Sequence, residues 1–157
     1  MTTVPAKHVF ESVSALQPSC QQDVVATEYI QVTQDQVNQF ADLSLDRQWI
    51  HLDVERSERD SPFKGTIVHG FLTLSLGAYF LQSGIRIREV RFGVITALKY
   101  ARFISVVPVG SWIRGRIKLL DVEEVRGNTQ GTWMVTIERR GAPIPCCVME
   151  IVVVYYT

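Results

Sequence analysis

The chain has 157 residues, of which 46% are hydrophobic and 20% are charged. This size and composition predict one globular domain spanning residues 1–157 and exclude a disordered chain. Lysine plus arginine equals aspartate plus glutamate, at 16 each, so the overall charge favours neither nucleic acid nor an anionic membrane as a partner.

The beginning of the sequence, MTTVPAKHVFESVSALQ, lacks the charged start and apolar run of a secretory signal. The longest apolar stretches, residues 71–81 and 148–156, are too short to cross a bilayer. We therefore expect a cytoplasmic protein that does not enter a membrane.

A strand and a helix are predicted before the first candidate site. Residues 28–32, EYIQV, alternate like a short strand, and the TQDQ that follows at 33–36 has the Thr-x-x-Gln form of a capping box. The helix that begins there is expected to end near Ser44. Asp46 and His51 then fall in an irregular segment just beyond the helix, where ordered loops commonly carry chemistry.

The rest of the chain predicts one buried helix and a sheet. Nearly every position from Phe71 to Gln82 is apolar or small, which favours a central helix enclosed on several sides. Alternating segments separated by turn signals then predict three or four antiparallel strands, at Val94–Ile104, Trp112–Val125, Gln130–Arg139 and Ile144–Tyr156. The predicted fold class is α+β, with an antiparallel sheet wrapped around a central helix.

One of these strands shows which of its faces is buried. Apolar or small residues alternate with basic ones along it, namely Ile113, Gly115, Ile117 and Leu119 with Arg114, Arg116 and Lys118. This pattern indicates one buried face and one face in water.

Two phrases before and within the apolar helix resemble a known family. They are FADLSLDRQWIHLDVERS at 40–57 and SPFKGTIVHGFLTLSL at 61–76. Both resemble the MaoC-like dehydratases, a family of hotdog folds that includes the (R)-specific enoyl-CoA hydratases. The shared features are an Asp-x4-His unit, an Asp after the His, a Phe-x-x-x-Ile-x-His-Gly phrase and the apolar helix. Later segments resemble the single-domain subgroup related to nodulation protein N, namely ARFISVVPVGSWIRGRI and PCCVMEIVVVYY.

The resemblance implies a reaction and its catalytic residues. It implies reversible addition of water to a 2-enoyl-CoA, or the reverse dehydration of a 3-hydroxyacyl-CoA, in fatty acid metabolism. Asp46 and His51 take the positions of the catalytic acid and histidine, and Gly70 that of the peptide N–H that holds the thioester oxygen. This chemistry needs a base for water, a proton for the α-carbon and a donor for the developing enolate oxygen. Gly70 begins the predicted helix, where backbone N–H groups are unpaired.

Four further residues of the two phrases are candidate substrate-binding residues: Gln48, Trp49, Phe63 and His69. Gln48 and Trp49 stand where many family members have Asn-Pro. For His69 the residues themselves favour a structural role, in which the side chain anchors the loop at the helix start. Asp53 is interpreted as a local helix cap.

We expect no metal and no cofactor, because His51 and His69 alone do not supply a ligand cluster. The expected partner is an acyl-CoA or acyl carrier protein thioester. A homodimer is also expected, since one hotdog layer leaves a long sheet edge and an incomplete acyl pocket.

Two other functions and the role of one basic cluster stay open. The chain could be a hotdog acyl-CoA thioesterase or a non-catalytic subunit that binds acyl thioesters. A basic cluster at Arg86, Arg88 and Arg91 is either a solvated loop or a contact for CoA phosphates. Cys20, Cys146 and Cys147 are interpreted as packing residues, because neighbours on a strand point to opposite faces.

Overall fold

The computed structural model of the protein describes residues 8–157, so the first seven residues of the predicted domain lie outside it. The helices are a 3-10 helix at Val13–Ser19, α1 at Gln34–Ser44, α2 at Trp49–Leu52, α3 at Val54–Asp60 and α4 at Gly70–Gly84. The strands are β1 at His8–Phe10, β2 at Asp23–Ala26, β3 at Ile30–Gln31, β4 at Ile85–Ile87, β5 at Phe92–Phe103, β6 at Trp112–Val125, β7 at Asn128–Arg139 and β8 at Cys147–Tyr156. No helix among residues 8–157 is long and apolar enough to cross a membrane.

One antiparallel sheet has the strand order β2-β6-β7-β8-β5, and β3 also pairs with β6. Its four long strands are β5, β6, β7 and β8. The short strands β1 and β4 form a separate parallel pair. The predicted α+β class is confirmed, since α4 packs against β6, β7 and β8. The last strand begins at Cys147 and not at Ile144, because Pro143 and Pro145 lack the N–H groups that a ladder needs.

Small residues let α4 approach the sheet closely. A Cβ atom on Gly115 of β6 would lie 2.5 Å from Cβ of Phe80, which is fully buried. A Cβ atom on Gly77 would likewise collide with the side chain of Met149. A glycine of the sheet at one contact and a glycine of the helix at the other therefore allow the short distance between helix and sheet.

The prediction that α4 is enclosed on several sides is wrong for a single chain. One side of the helix faces the sheet, but Phe71 is 71% exposed and Tyr79 is also exposed. The helix is apolar all round, yet its own sheet covers only part of its circumference. An apolar sequence shows that a surface needs a cover, and it does not show whether the same chain provides it.

The segment between α1 and α4 is more helical than predicted. The capping box is present, with the Thr33 hydroxyl and the Gln36 side chain each accepting a backbone N–H from the other residue. His51 lies on α2, whereas an irregular segment was predicted. The four residues of α2 begin without a side-chain cap, so its sequence carries no start signal. Asp53 caps α3 by accepting the Arg56 N–H at 2.9 Å, as expected for this residue.

Candidate active site

A cavity of 220 Å³ lies at the start of α4. His51 and Gly70 line it together, although they are 19 positions apart in the sequence. The remaining lining comes from the segment before α4, its first turn, the end of β5, the loop after β5 and the residue before β8, namely Ile67, Val68, Thr73, Phe103, Ile104, Ser105, Val106, Val107 and Cys146.

His51 is held in one orientation and one tautomer. Its Nδ1 lies 2.7 Å from the backbone oxygen of Ile67. A carbonyl oxygen only accepts, so Nδ1 carries the hydrogen and Nε2 keeps its lone pair. Burial lowers the pKa of His51, and His69 lowers it further, against the opposing effects of the Ile67 hydrogen bond and of Asp46. A neutral imidazole with a free Nε2 is therefore available as a base at neutral pH.

Asp46 lies in the loop after α1, close to the His51 ring. The chain turns at Leu45, which has a left-handed backbone with φ of 63°. One Asp46 carboxylate oxygen accepts a hydrogen bond from Gln48 Nε2 at 3.2 Å. One potential ligand atom from each of Asp46, His51 and His69 lies within 4.8 Å of the others. Two acceptors at this spacing can contact the same water molecule, because each hydrogen bond spans about 2.6–3.2 Å.

His69 joins the Asp46 loop to the start of α4. Its Nε2 donates to the backbone oxygen of Asp46 at 2.9 Å. Its ring stacks on that of His51 with 3.8 Å between centroids, and Phe40 packs 5.1 Å from it. The side chain is only 2% exposed, and its Nδ1 has no partner within residues 8–157. This contact is the loop anchor expected from the sequence, whereas substrate binding by His69 stays a prediction.

The same three side chains are a possible metal-ligand set within the described part of the chain. Two histidines alone do not make a ligand cluster, but the fold brings Asp46 beside them. His51 Nδ1 and His69 Nε2 are already bound to backbone oxygens, which leaves one free nitrogen on each ring. The absence of a cofactor stays a prediction.

Gly70 is the first residue of α4, and the preceding His69 makes no side-chain capping bond. The N–H groups of the first helical turn have no intrahelical partners, and the helix dipole favours negative charge there. A Cβ atom on Gly70 would lie 3.3 Å from the Phe103 ring. Glycine therefore keeps a narrow space open beside these N–H groups.

Of the residues predicted from the sequence, only His51 and Gly70 are among those that line this cavity; Asp46, Gln48, Trp49, Phe63 and His69 are not. Gln48 bonds to Asp46, as described above. The Trp49 ring lies 4.2 Å from the Arg56 guanidinium carbon, and the Phe63 N–H donates to Ser61 Oγ at 3.1 Å. Substrate contact by Gln48, Trp49 and Phe63 stays a prediction.

Nine of the residues that line the cavity were not predicted from the sequence, among them Thr73, Phe103 and Cys146. Thr73 carried a weak signal, as a polar residue in the first turn of an apolar helix. Phe103 and Cys146 carried none, because strand pairing brings them to the site from distant positions. Burial raises the pKa of the Cys146 thiol, which does not favour a nucleophilic thiolate.

A larger cavity of 360 Å³ lies beside the other end of α4. Its lining is mainly apolar and includes Ala78, Leu81, Ile95 and Val153. The Tyr155 hydroxyl at its wall accepts a hydrogen bond from Trp133 Nε1 at 2.7 Å. Among the residues lining this cavity there is no histidine or carboxylate.

Comparison with known proteins identifies the family. Residues 15–139 match the MaoC-like domain. The chain is 38% identical over 147 residues to the 3-hydroxyacyl-thioester dehydratase Z of Mycobacterium tuberculosis, covering 93% of this chain and 97% of that protein. The chain belongs to the MaoC-like family. It is also 42% identical over 120 residues to nodulation protein N of Rhizobium leguminosarum bv. viciae, covering 74% of each chain.

Solved structures confirm the hotdog fold of this MaoC-like chain. The unliganded R-hydratase PhaJ1 from Pseudomonas aeruginosa superposes with a TM-score of 0.73 at 17% identity, covering 93% of this chain and 86% of that one. The (R)-hydratase from A. caviae gives a TM-score of 0.68 at 21% identity, covering 84% of this chain and 95% of that one. At these identities the likeness concerns the fold.

Proposed function

We propose that the protein is an (R)-specific 2-enoyl-CoA hydratase, which also catalyses the reverse dehydration of 3-hydroxyacyl-CoA. The observation that carries the proposal is the position of His51, which lines the same cavity as the start of α4 and has a ring nitrogen within 4.8 Å of an Asp46 carboxylate oxygen. Its Nδ1 is bound to the Ile67 oxygen, so Nε2 keeps its lone pair. The name of the mycobacterial relative, a 3-hydroxyacyl-thioester dehydratase, supports the same reaction class.

In the proposed reaction Asp46 and His51 hold one water molecule against the β-carbon of the enoyl group. His51 Nε2 takes one proton as the water oxygen bonds to that carbon, while Asp46 accepts a hydrogen bond from the remaining hydrogen. The electron pair of the double bond moves to the thioester oxygen, which faces the Gly70 N–H. Delivery of the proton from His51 to the α-carbon restores the carbonyl and leaves a 3-hydroxyacyl thioester. The step uses one water and leaves no charge behind.

Crotonyl-CoA tests this proposal against its two alternatives in one cuvette. Hydration removes the conjugated double bond, so the enoyl absorbance falls while no free thiol appears. A thioesterase would instead release CoA thiol, because its water attacks the carbonyl. A binding subunit would change neither signal, even though it retained the thioester. The last two results would each overturn the proposal.

The substrate carrier, pathway and location belong to the same proposal. We infer an acyl thioester of CoA as substrate, a place in fatty acid metabolism, and one hotdog domain over residues 1–157. A cytoplasmic location belongs to the same proposal, and the free thiols of Cys20, Cys146 and Cys147 are compatible with it. Cell fractionation with an antibody to the protein checks the location.

We further propose a homodimer that forms through β5. Within residues 8–157 this strand ends the sheet and pairs with β8 alone, and all 12 of its residues are exposed. Exposed positions on it include Phe92, Val94 and Leu98. A long, apolar, unpaired edge is a template for a second strand, and an identical copy supplies one with matching chemistry.

Replacing one apolar side chain of this edge by lysine tests the dimer. Leu98→Lys places a positive charge near the middle of β5. In a symmetric pair of β5 strands, this lysine lies near the same lysine of the other subunit, and the like charges repel. Light scattering is expected to give a dimer for the wild type and a monomer for Leu98→Lys. The matched control is Leu43→Lys on α1, which is more exposed and is expected to stay dimeric. A monomeric wild type at micromolar concentration would contradict the proposal.

A further inference from the structure

Gln34, the first residue of α1, makes contacts that the capping box does not need. Its Nε2 donates to the backbone oxygen of His51 at 2.7 Å, and its Oε1 accepts from the Thr66 hydroxyl at 2.7 Å. Nε2 also donates to Asn38 Oδ1 at 2.9 Å. One side-chain amide thus connects three parts of the chain: α1, α2 and the segment that leads to α4.

The position of His51 depends on such outside contacts. A helix of four residues cannot hold its own shape, since isolated helices much longer than α2 are unstable in water. Its last carbonyl groups have no partner within the helix. The His51 carbonyl is one of these, and Gln34 satisfies it.

The partner of Gln34 lies on the segment that also fixes the His51 ring. Thr66 is only 7% exposed, and the next residue, Ile67, accepts the hydrogen from His51 Nδ1. The Ile67 N–H in turn donates to the Ile50 oxygen at 3.1 Å. The backbone of α2 and the imidazole are therefore held against one short segment, and two residues beyond Ile67 the chain reaches His69 and the start of α4.

The orientation of the Gln34 amide follows from its partners. The His51 oxygen can only accept, so the nitrogen of Gln34 must face it. The oxygen of Gln34 then faces Thr66, whose hydroxyl donates. Replacing Thr66 by an apolar residue would leave the Gln34 oxygen without this donor, and replacing Gln34 would leave the His51 oxygen without its own.

We propose that Gln34 is a positioning residue for His51 and that Thr66 is the partner through which it acts. The bridge sets the place of the imidazole relative to the Gly70 N–H and the water held by Asp46. Gln34 does not line the cavity, so its effect on turnover passes through His51. The inference rests on the proposed function of His51.

Two pairs of variants test the bridge by their turnover of crotonyl-CoA. Gln34→Met keeps the length of the side chain and removes both hydrogen-bonding groups. Its control is Gln39→Met on the same helix, where the amide nitrogen donates to the Asp35 carboxylate at 2.7 Å. Thr66→Val removes the donor and keeps the shape, whereas Thr66→Ser keeps the hydroxyl.

Gln34→Met and Thr66→Val are expected to lower kcat by up to about 10²-fold, the scale of a catalytic group misplaced by about 1 Å. KM is expected to change much less, and Gln39→Met and Thr66→Ser are expected to retain wild-type kcat. Wild-type kcat in folded Gln34→Met would overturn the proposal. If that variant does not fold, equal kcat values for Thr66→Val and Thr66→Ser would overturn it.

A second readout does not depend on hydratase activity. NMR titration of the His51 ring is expected to give a pKa below the ordinary histidine value in the wild type. In Gln34→Met the pKa is expected to rise toward that value, because a loosened α2 exposes the ring, while Asp46 and His69 still face it. If the wild type is inactive, the proposed function fails, and this titration alone decides the bridge: an unchanged His51 titration in Gln34→Met would overturn it.

Discussion

Two substitutions at Gly70 separate the role of its N–H from the role of its missing side chain. Gly70→Ala adds a Cβ atom and keeps the N–H, whereas Gly70→Pro adds the same Cβ and removes the N–H. Both added Cβ atoms would meet the Phe103 ring at 3.3 Å, so this tight contact is common to the pair. The two variants then differ in the group on the backbone nitrogen, which is hydrogen in alanine and the ring carbon Cδ in proline.

The backbone is already suited to proline at this position. Gly70 is the first residue of α4, where proline is well tolerated because its N–H would lack an intrahelical partner. The preceding His69 has φ of −55° and ψ of 137°, the extended region that residues before proline adopt. We therefore expect Gly70→Pro to fold with nearly the thermal midpoint of Gly70→Ala.

Turnover of crotonyl-CoA gives the size of the effect. Loss of one oxyanion donor costs about 10²- to 10³-fold in kcat, or about 2.7–4 kcal/mol. We expect the ratio of kcat between Gly70→Ala and Gly70→Pro to fall in this range. A folded Gly70→Pro protein that turns over as fast as Gly70→Ala would remove this N–H from the mechanism.

Three further predictions concern the catalytic pair and the packing of α4. Asp46→Asn and His51→Ala are each expected to lower kcat by about 10²- to 10⁴-fold. The double variant is expected to be hardly worse than the poorer single variant, because the effects of groups that act on one water are not additive. Additive losses would mean that the two residues have separate roles. Since burial keeps the His51 pKa below its ordinary value, kcat/KM is expected to fall only as the pH drops below about 6.5. The stability that the buried neutral ring contributes is expected to be lost as the pH falls from that value through the pKa of the folded state. A urea denaturation series in which His51→Ala keeps the full pH dependence of the wild type would contradict this. Gly115→Ala is expected to lower the free energy of unfolding, measured by urea denaturation, by about 1–3 kcal/mol through overpacking against Phe80. The control Gly65→Ala is expected to change it little, because no atom lies within 4 Å of the added Cβ.

Much of the sheet could be predicted because its signals are local. Alternation along β6 correctly predicted that Ile113, Ile117 and Leu119 are buried, and all three are fully buried in the structure. On the opposite face, Arg114 and Arg116 reach Glu138 of the neighbouring strand, each at 2.9 Å. A period of two residues is set by the backbone itself, so neighbouring strands need not be known.

The exposure of β5 could not be predicted from its sequence. The sequence predicted a strand there, and the structure has one, but all of its residues are exposed in a single chain. Periodicity reports which side chains are apolar, and it cannot report that their cover lies outside the chain.

The candidate site was predicted only where its residues form one short phrase. Asp46, His51, His69 and Gly70 lie within 25 residues and could be found by resemblance. The helix α2 was missed because Gln48 makes no cap before it. The bridge from Gln34 to Thr66 joins residues 32 positions apart, and only the folded chain brings them together.

The most direct test of the central claim is the identity of the product that wild-type protein and His51→Ala form from crotonyl-CoA. The wild type is expected to convert it to (R)-3-hydroxybutyryl-CoA with no release of free CoA, as chiral analysis of the product would show. Folded His51→Ala is expected to form the same product at a rate lower by about 10²- to 10⁴-fold. Wild-type protein that is folded but forms no 3-hydroxy product, or a His51→Ala variant as fast as the wild type, would contradict the account.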